Sequence, residues 1–200
     1  RHDETLNPIG KNITKECLAN AQQIAQKFAA LYLCQDGLPI EKSSLYLFKV
    51  DGIIAHEYQN RDNRMLYTLC VPGGYYWSNE NSRVNWTSDA ADKASASIKG
   101  YSPANGSGYA NQAAERKVQT NSEGYDYPVI RYAEVLLNYA EAVYERDDAI
   151  SDDDLNISLN LVRNRINKSM PKLSNNLVTA NGLNMREEIR RERTVELFNE

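Results

Sequence analysis

Residues Tyr127 to Ala142 read YPVIRYAEVLLNYAEA, and the spacing in this stretch decides the fold class. Pro128 suits a first helical turn, where its missing N–H leaves no bond unmade. Ile130, Ala133, Leu137, Ala140 and Tyr144 recur three and four apart on one face, widened by Val129, Leu136 and Val143, so a helix is expected from Pro128 to about Arg146. Asp147-Asp148 interrupts it. Ser151 followed by Asp154 gives a capping-box-like start, and Leu155, Leu159, Val162 and Ile166 continue at helical spacing. Two amphipathic helices joined so closely pack as an antiparallel hairpin. A further helix is expected from about Asn184, with Glu187 at its capping-box position, to the last residue; its apolar members are Met185, Ile189, Val195, Leu197 and Phe198.

Upstream, Cys17, Ala21, Ile24, Phe28 and Leu31 mark a helix from about Thr14 to Leu33, stopped by Asp36-Gly37-Leu38-Pro39. Short strands are expected at Leu45–Val50 and Met65–Val71, where β-formers dominate. Gly73 to Tyr127 has no sustained period and is rich in Gly, Ser, Asn and Tyr. A loop of this length inside a compact domain is functional or disordered. Its rings, Tyr75, Tyr76, Trp77, Trp86, Tyr101, Tyr109, Tyr125 and Tyr127, argue for function, because disordered segments are poor in aromatics.

Several chemistries are excluded. A net charge of -4 without a basic patch gives no footprint for nucleic acid. The cluster Arg190, Arg191 and Arg193 alternates with Glu187, Glu188, Glu192 and Glu196 and reads as a salt-bridged or solvated helix face. No apolar run is long enough to span a membrane, and RHDETLNPIG is not a signal peptide. His2 and His56 cannot build a multi-histidine zinc site, and neither GxSxG nor a P-loop occurs. Asp152-Asp153-Asp154 opens like a calcium loop, but Ile157 stands where glycine is required and no closing Glu follows; the acids complement a helix N-terminus instead. No metal and no cofactor is implied. Cys17, Cys34 and Cys70 form no CxxC and read as buried small hydrophobes. Glu134 and Glu141 share a stripe as a glycosidase pair might, yet Arg131, Arg163, Arg165 and the Arg190 cluster offer ion-pair partners.

Five stretches in order resemble the C-terminal signature of the SusD/RagB family of outer-membrane nutrient-binding lipoproteins. CQDGLPI (Cys34–Ile40) resembles its DGLP turn and NRDNRMLYTLCVPG (Asn60–Gly73) its RDPR segment, with Asn63 where many members have Pro. YPVIRYAEVLLNYAEA, LNLVRNRI (Leu159–Ile166) and EEIRRERTVELFNE (Glu187–Glu200) follow. Together they span most of residues 34 to 200. The family's lipid-attachment cysteine, its first tetratricopeptide-like helices and its continuation past ELFNE are missing, so the chain reads as a portion of a longer protein.

The resemblance implies a mainly α, SusD-like fold: tetratricopeptide-type helix pairs, a long irregular loop-rich segment and little β. Residues 1–200 are then the C-terminal portion of one SusD-like domain, with a helix over 14–33, a largely irregular binding region over 34–127, and a helical hairpin plus terminal helix over 128–200. It also implies a non-enzymatic role in polysaccharide utilisation. Glycan or oligosaccharide is bound at the cell surface for a SusC-like TonB-dependent transporter, and attachment to the outer membrane is through a lipid anchor absent from this chain.

Sugar rings offer a C–H face to an aromatic platform and hydroxyls to polar groups around it. YYWSNENSRVNW (Tyr75–Trp86) supplies both, so the expected ligand-binding residues are Trp77, Trp86, Tyr76, Tyr75, Asn81 and Arg83. Tyr132, Tyr139 and Tyr144 are expected in the core, and Asp62 with Arg64 as a structural ion pair. Two competing readings are a helical-repeat scaffold for a protein partner and a glycoside hydrolase. The first is incomplete, because only one helix pair is legible and such arrays need about three repeats. The second lacks a convincing acid–base pair.

Overall fold

The computed structural model describes residues 25–69, 75–76, 80–81 and 129–198. The chain divides into two units, one formed by Ala30–Tyr46, Asn60–Arg64 and Val129–Glu200, the other by the remainder. Its described part is mainly helical, as the sequence implies.

In the unit containing the C-terminal residues, helix α4 (Tyr132–Asp147) packs against α6 (Leu159–Ile166) and α8 (Met185–Glu196), and α5 (Asp152–Ile157) packs against α6. Leu137, Ala140, Ile150, Leu155, Leu159, Val162, Leu173, Met185 and Ile189 close one core. Fully burying each large aliphatic side chain stabilises by about 1.5–3 kcal/mol. The expected stripes pack from Ala133 onward.

Side chains set the helix starts. Ser151 accepts the Asp154 amide and Asn184 accepts the Glu187 amide, each satisfying an N–H that has no intrahelical acceptor. Helix α7 (Asn175–Ala180) is unforeseen in the sequence, although Ser174 caps it in the same way through the Leu177 amide. Asn160 holds the preceding turn in place: its Nδ2 donates to the Leu173 carbonyl at 2.9 Å and its Oδ1 accepts the Leu173 amide at 2.8 Å.

The start of this unit is tied to the Asn60–Arg64 stretch by backbone bonds. Gln35 N–H donates to the Asn60 carbonyl and Asp62 N–H to the Leu33 carbonyl, both at 2.8 Å, around a bridge between Cys34 and Arg61. Cys34 is buried, in line with its reading as a small hydrophobe; Cys17 and Cys70 lie outside the described residues. The Asp36–Pro39 turn needs glycine at its centre. Gly37 has φ +78°, a left-handed conformation costly for residues with a Cβ, and an added Cβ would lie 3.5 Å from the Pro171 carbonyl oxygen.

Of the other unit, the described parts are α1 (Gln26–Ala29), α2 (Phe48–Asp51), a 3-10 turn over Ile54–Glu57, residues Met65–Leu69, and an antiparallel pair of β1 (Tyr75–Tyr76) with β2 (Glu80–Asn81). Gly52, at φ 67°, ends α2 with its N–H on the Phe48 carbonyl.

Several expectations change. The first helix ends at Ala29 rather than Leu33, and residues before 25 lie outside the described ones. Among the described residues, neither expected early strand forms. Phe48–Asp51 is helical, and Asn63–Thr68 forms α3 because the Asp62 carboxylate accepts the Arg64 amide at 2.8 Å, as a capping residue does. The helix expected from Ser151 is two helices. Ser158 leaves helical geometry (φ −129°, ψ −101°) while its hydroxyl bonds back to the Asp154 carbonyl at 2.5 Å. Helix α4 begins at Tyr132, not Pro128, which leaves Val129 and Ile130 exposed ahead of it. Tyr132 and Tyr139 are not core: they are exposed with Val135 along one side of α4, at spacings of three and four. Tyr144 alone of the three packs against the core, with the Arg186 guanidinium 5.2 Å from its ring centre.

Candidate functional site

Helix α8 carries Glu188, Glu192 and Glu196 four residues apart, and all three are buried. The salt-bridged or solvated face that the sequence suggested is half the arrangement: Glu187 and Arg190 are exposed, while Glu188, Glu192 and Glu196 face inward. What makes this tolerable is a set of arginines arriving from three other stretches. Arg64 lies 2.6 Å from Glu192 Oε1 and 3.2 Å from Glu196 Oε2, and its Nη2 lies 2.6 Å from Asp62 Oδ2. Arg163, wholly buried, meets Glu192 Oε2 at 3.0 Å. Glu196 Oε1 takes Arg131 at 3.0 Å and Arg165 at 2.7 Å, and Arg131 also donates to the Glu196 carbonyl at 3.0 Å.

The electrostatics follow the geometry. Burial pushes the Asp62 carboxyl up, but the Arg64 charge, together with hydrogen bonds from Arg64 and Asn167, outweighs it and holds the carboxyl below its ordinary value. Burial lowers the Arg64 pKa, yet Glu192 and Asp62 reverse this and hold it well above the ordinary value. Glu188 is the exception. Burial raises its carboxyl, and Arg191 and Arg163 offset this only in part.

Chemically, this cluster is an internal framework. Asp62, Glu192 and Glu196 are buried and neutralised by arginine, so none is a carboxylate poised to transfer a proton to a substrate. Of the Glu134 and Glu141 pair, Glu141 is engaged in an ion pair, 3.6 Å from Arg193. Asp62 and Arg64 form the structural pair expected of them. The stretches that resemble a family signature thus supply Asp62, Arg64, Arg131, Arg163, Arg165, Glu192 and Glu196 to one buried network. The missed signal was the four-residue period of the acids, locked in phase with the apolar positions of α8.

The residues expected to meet ligand lie elsewhere. The antiparallel register sets Tyr75 opposite Asn81 and Tyr76 opposite Glu80, which brings three of the six into one hairpin. Trp77, Arg83 and Trp86 lie outside the described residues. A shallow depression lined by Glu141, Tyr144, Glu145, Arg186, Ile189 and Arg190 is a poor platform for a sugar, because Arg186 already covers the Tyr144 ring. Among the described residues, no helix is long and apolar enough to cross a membrane and no cluster of metal-ligating side chains occurs.

Comparison with known proteins places this architecture. The SusD family profile matches residues 3–200. No curated relative matches the sequence. Among solved structures, a SusD-like protein (BF3747) from Bacteroides fragilis NCTC 9343 superposes with a TM-score of 0.54 at 20% identity, over 88% of this chain and 33% of its own. The protein BT4246 gives a TM-score of 0.63 at 20% identity, over 91% of this chain and 33% of its own, and its selenomethionine form gives the same score at 19% identity. At such identities these likenesses speak for the backbone. The chain spans about a third of the length of the solved structures it matches. With the profile covering almost every residue and the backbone following SusD-like proteins, the chain belongs to the SusD family.

Proposed function

We propose that the protein containing this chain binds glycan without cleaving it and hands it to a SusC-like TonB-dependent transporter, from a lipid-anchored position on the outer surface of the outer membrane. The observation that carries this reading is the SusD family match over residues 3–200. Its chemical support is YYWSNENSRVNW, where Tyr75, Tyr76, Trp77 and Trp86 supply apolar ring faces and Asn81 and Arg83 supply hydrogen-bonding groups for sugar hydroxyls. The Tyr75–Asn81 register favours a shared role, since it sets a ring-bearing and an amide-bearing residue at paired positions. The helical body contributes rigidity through its buried ion network rather than ligand contacts.

Titration calorimetry of the full-length protein against a panel of polysaccharides and their oligosaccharides tests the reading. Saturable binding is expected, with no growth in reducing ends on prolonged incubation. Release of reducing ends would replace the binder by a hydrolase. Absence of binding across the panel, together with capture of a protein partner, would replace it by a helical scaffold.

A further inference from the structure

We infer that Glu196 is a positioning residue: its single carboxylate ties together two roots, Arg64 and Arg131, that flank residues 65–130 in sequence. Arg64 stands immediately before that stretch and reaches Glu196 Oε2 at 3.2 Å; Arg131 stands immediately after it and reaches Glu196 Oε1 at 3.0 Å. Arg131 also grips the Glu196 backbone carbonyl at 3.0 Å, so this contact survives rotation of the side chain.

The residue is built for the task. Only 3% of the Glu196 side chain is exposed, so water competes poorly for its oxygens, and each oxygen is committed to a different root. Arg64 is fixed from behind by Asp62 at 2.6 Å, and Asp62 in turn by Asn167 at 2.7 Å. Bringing the ends of a long segment together carries an entropic cost, and a charged clasp at the base offsets it while fixing the spacing of the ends. Glu192, one turn earlier, provides the contrast. It binds Arg64 and Arg163 at 2.6 and 3.0 Å, which joins the first root to α6.

The consequence rests on the proposed glycan-binding role, because Tyr75, Tyr76, Trp77, Asn81, Arg83 and Trp86 all belong to the stretch so clasped. Their affinity for sugar then depends on Glu196, a residue that does not touch the sugar.

The test compares Glu196→Gln, Glu192→Gln and Arg165→Gln in the full-length protein, well below each thermal midpoint. Arg165 shares the Glu196 carboxylate at 2.7 Å but lies at neither root and is half exposed, so its loss is the control for merely disturbing that carboxylate. Amide exchange is read at residues 62–69 and 129–134 against the core around Leu137 and Leu159, and affinity is read with the oligosaccharide that binds the unaltered protein. Glu196→Gln is expected to speed exchange at both roots together, with the core unchanged, and to weaken binding about tenfold. Arg165→Gln is expected to do neither, and Glu192→Gln, which strands the buried Arg163, to speed exchange at roots and core together. Unchanged roots in Glu196→Gln, or equal acceleration of roots and core in all three variants, would overturn the inference. Should the unaltered protein bind no saccharide, the proposed function is what fails, and the exchange readout alone decides the clasp.

Discussion

Asn167 Nδ2 donates to Asp62 Oδ1 at 2.7 Å, joining positions 105 residues apart inside the protein. The same side chain accepts the Asn63 amide through its Oδ1, also at 2.7 Å. Asn167 is thus the neutral member of a charged framework, where it orients a carboxylate that in turn orients Arg64. Replacing it with alanine strands one backbone amide and part of a buried carboxylate. Asn167→Ala is expected to cost about 2–3 kcal/mol in chemical denaturation, and a loss under 0.5 kcal/mol would show that water fills the site freely.

Glu192 stands between two buried arginines, and Arg163 has no hydrogen-bond partner for its terminal nitrogens among the described residues. Neutralising Glu192 leaves a wholly buried guanidinium without its hydrogen-bonded carboxylate. Glu192→Gln is expected to destabilise by about 3 kcal/mol or more, because removing one member of a buried pair exposes the full desolvation cost of the other. Replacing Arg163 with methionine at the same time is expected to recover much of that loss. A double variant no better than the single would contradict the pairing.

Acid acts on this framework in two opposed directions. The folded pKa of Asp62 is depressed, so its contribution is fully present above the unfolded aspartate value of about 3.9 and is lost as pH falls through the folded value. The folded pKa of Glu188 is raised, so its contribution is present below the unfolded glutamate value of about 4.3 and is lost as pH rises through the folded one. Glu188→Gln is therefore expected to raise the thermal midpoint at pH 7, by roughly 1–3 °C, with the gain vanishing toward pH 4. A gain that grew on acidification would reverse the sign assigned to Glu188.

The cap at Ser174 isolates a local term. It accepts the Leu177 amide at 3.1 Å and starts a short helix that packs Leu177 and Val178 on the core. Ser174→Ala is expected to cost about 1 kcal/mol in urea denaturation, and Ser174→Asp or Ser174→Asn much less. Equal losses in all three variants would place the serine's role outside capping.

How much of this was legible beforehand differed by kind of residue. The apolar stripe of α4 and the paired stripe of α5 and α6 were readable because burial follows the helical period, and Leu137, Ala140, Leu155, Leu159 and Val162 are the residues it selects. Helix breaks were less readable: Ser158 suits a helix by spacing, and only its back-bond to Asp154 diverts the chain. The early segments were misjudged for a related reason. Phe48–Asp51 and Asn63–Thr68 carry β-forming residues, but each is too short for propensity to outweigh Gly52 at one end and the Asp62 cap at the other.

Charge was the least legible feature. Glu192 and Glu196 look solvated beside so many arginines, and their burial depends on Arg64, Arg163 and Arg131, whose approach no local pattern announces. Tyr132 and Tyr139 err in the opposite sense, since a helical position one step off the core stripe suffices to expose a large ring. The candidate ligand residues were legible as chemistry, rings interleaved with amides, and Trp77, Arg83 and Trp86 lie outside the described residues.

The most direct test of the account separates ligand capture from scaffold. Calorimetric titration of full-length Trp77→Ala/Trp86→Ala with an oligosaccharide that binds the unaltered protein is read beside the thermal midpoint of each. The account predicts affinity at least about tenfold weaker with a midpoint within about 2 °C of the original. Undiminished affinity, or loss of folding in place of affinity, would contradict it.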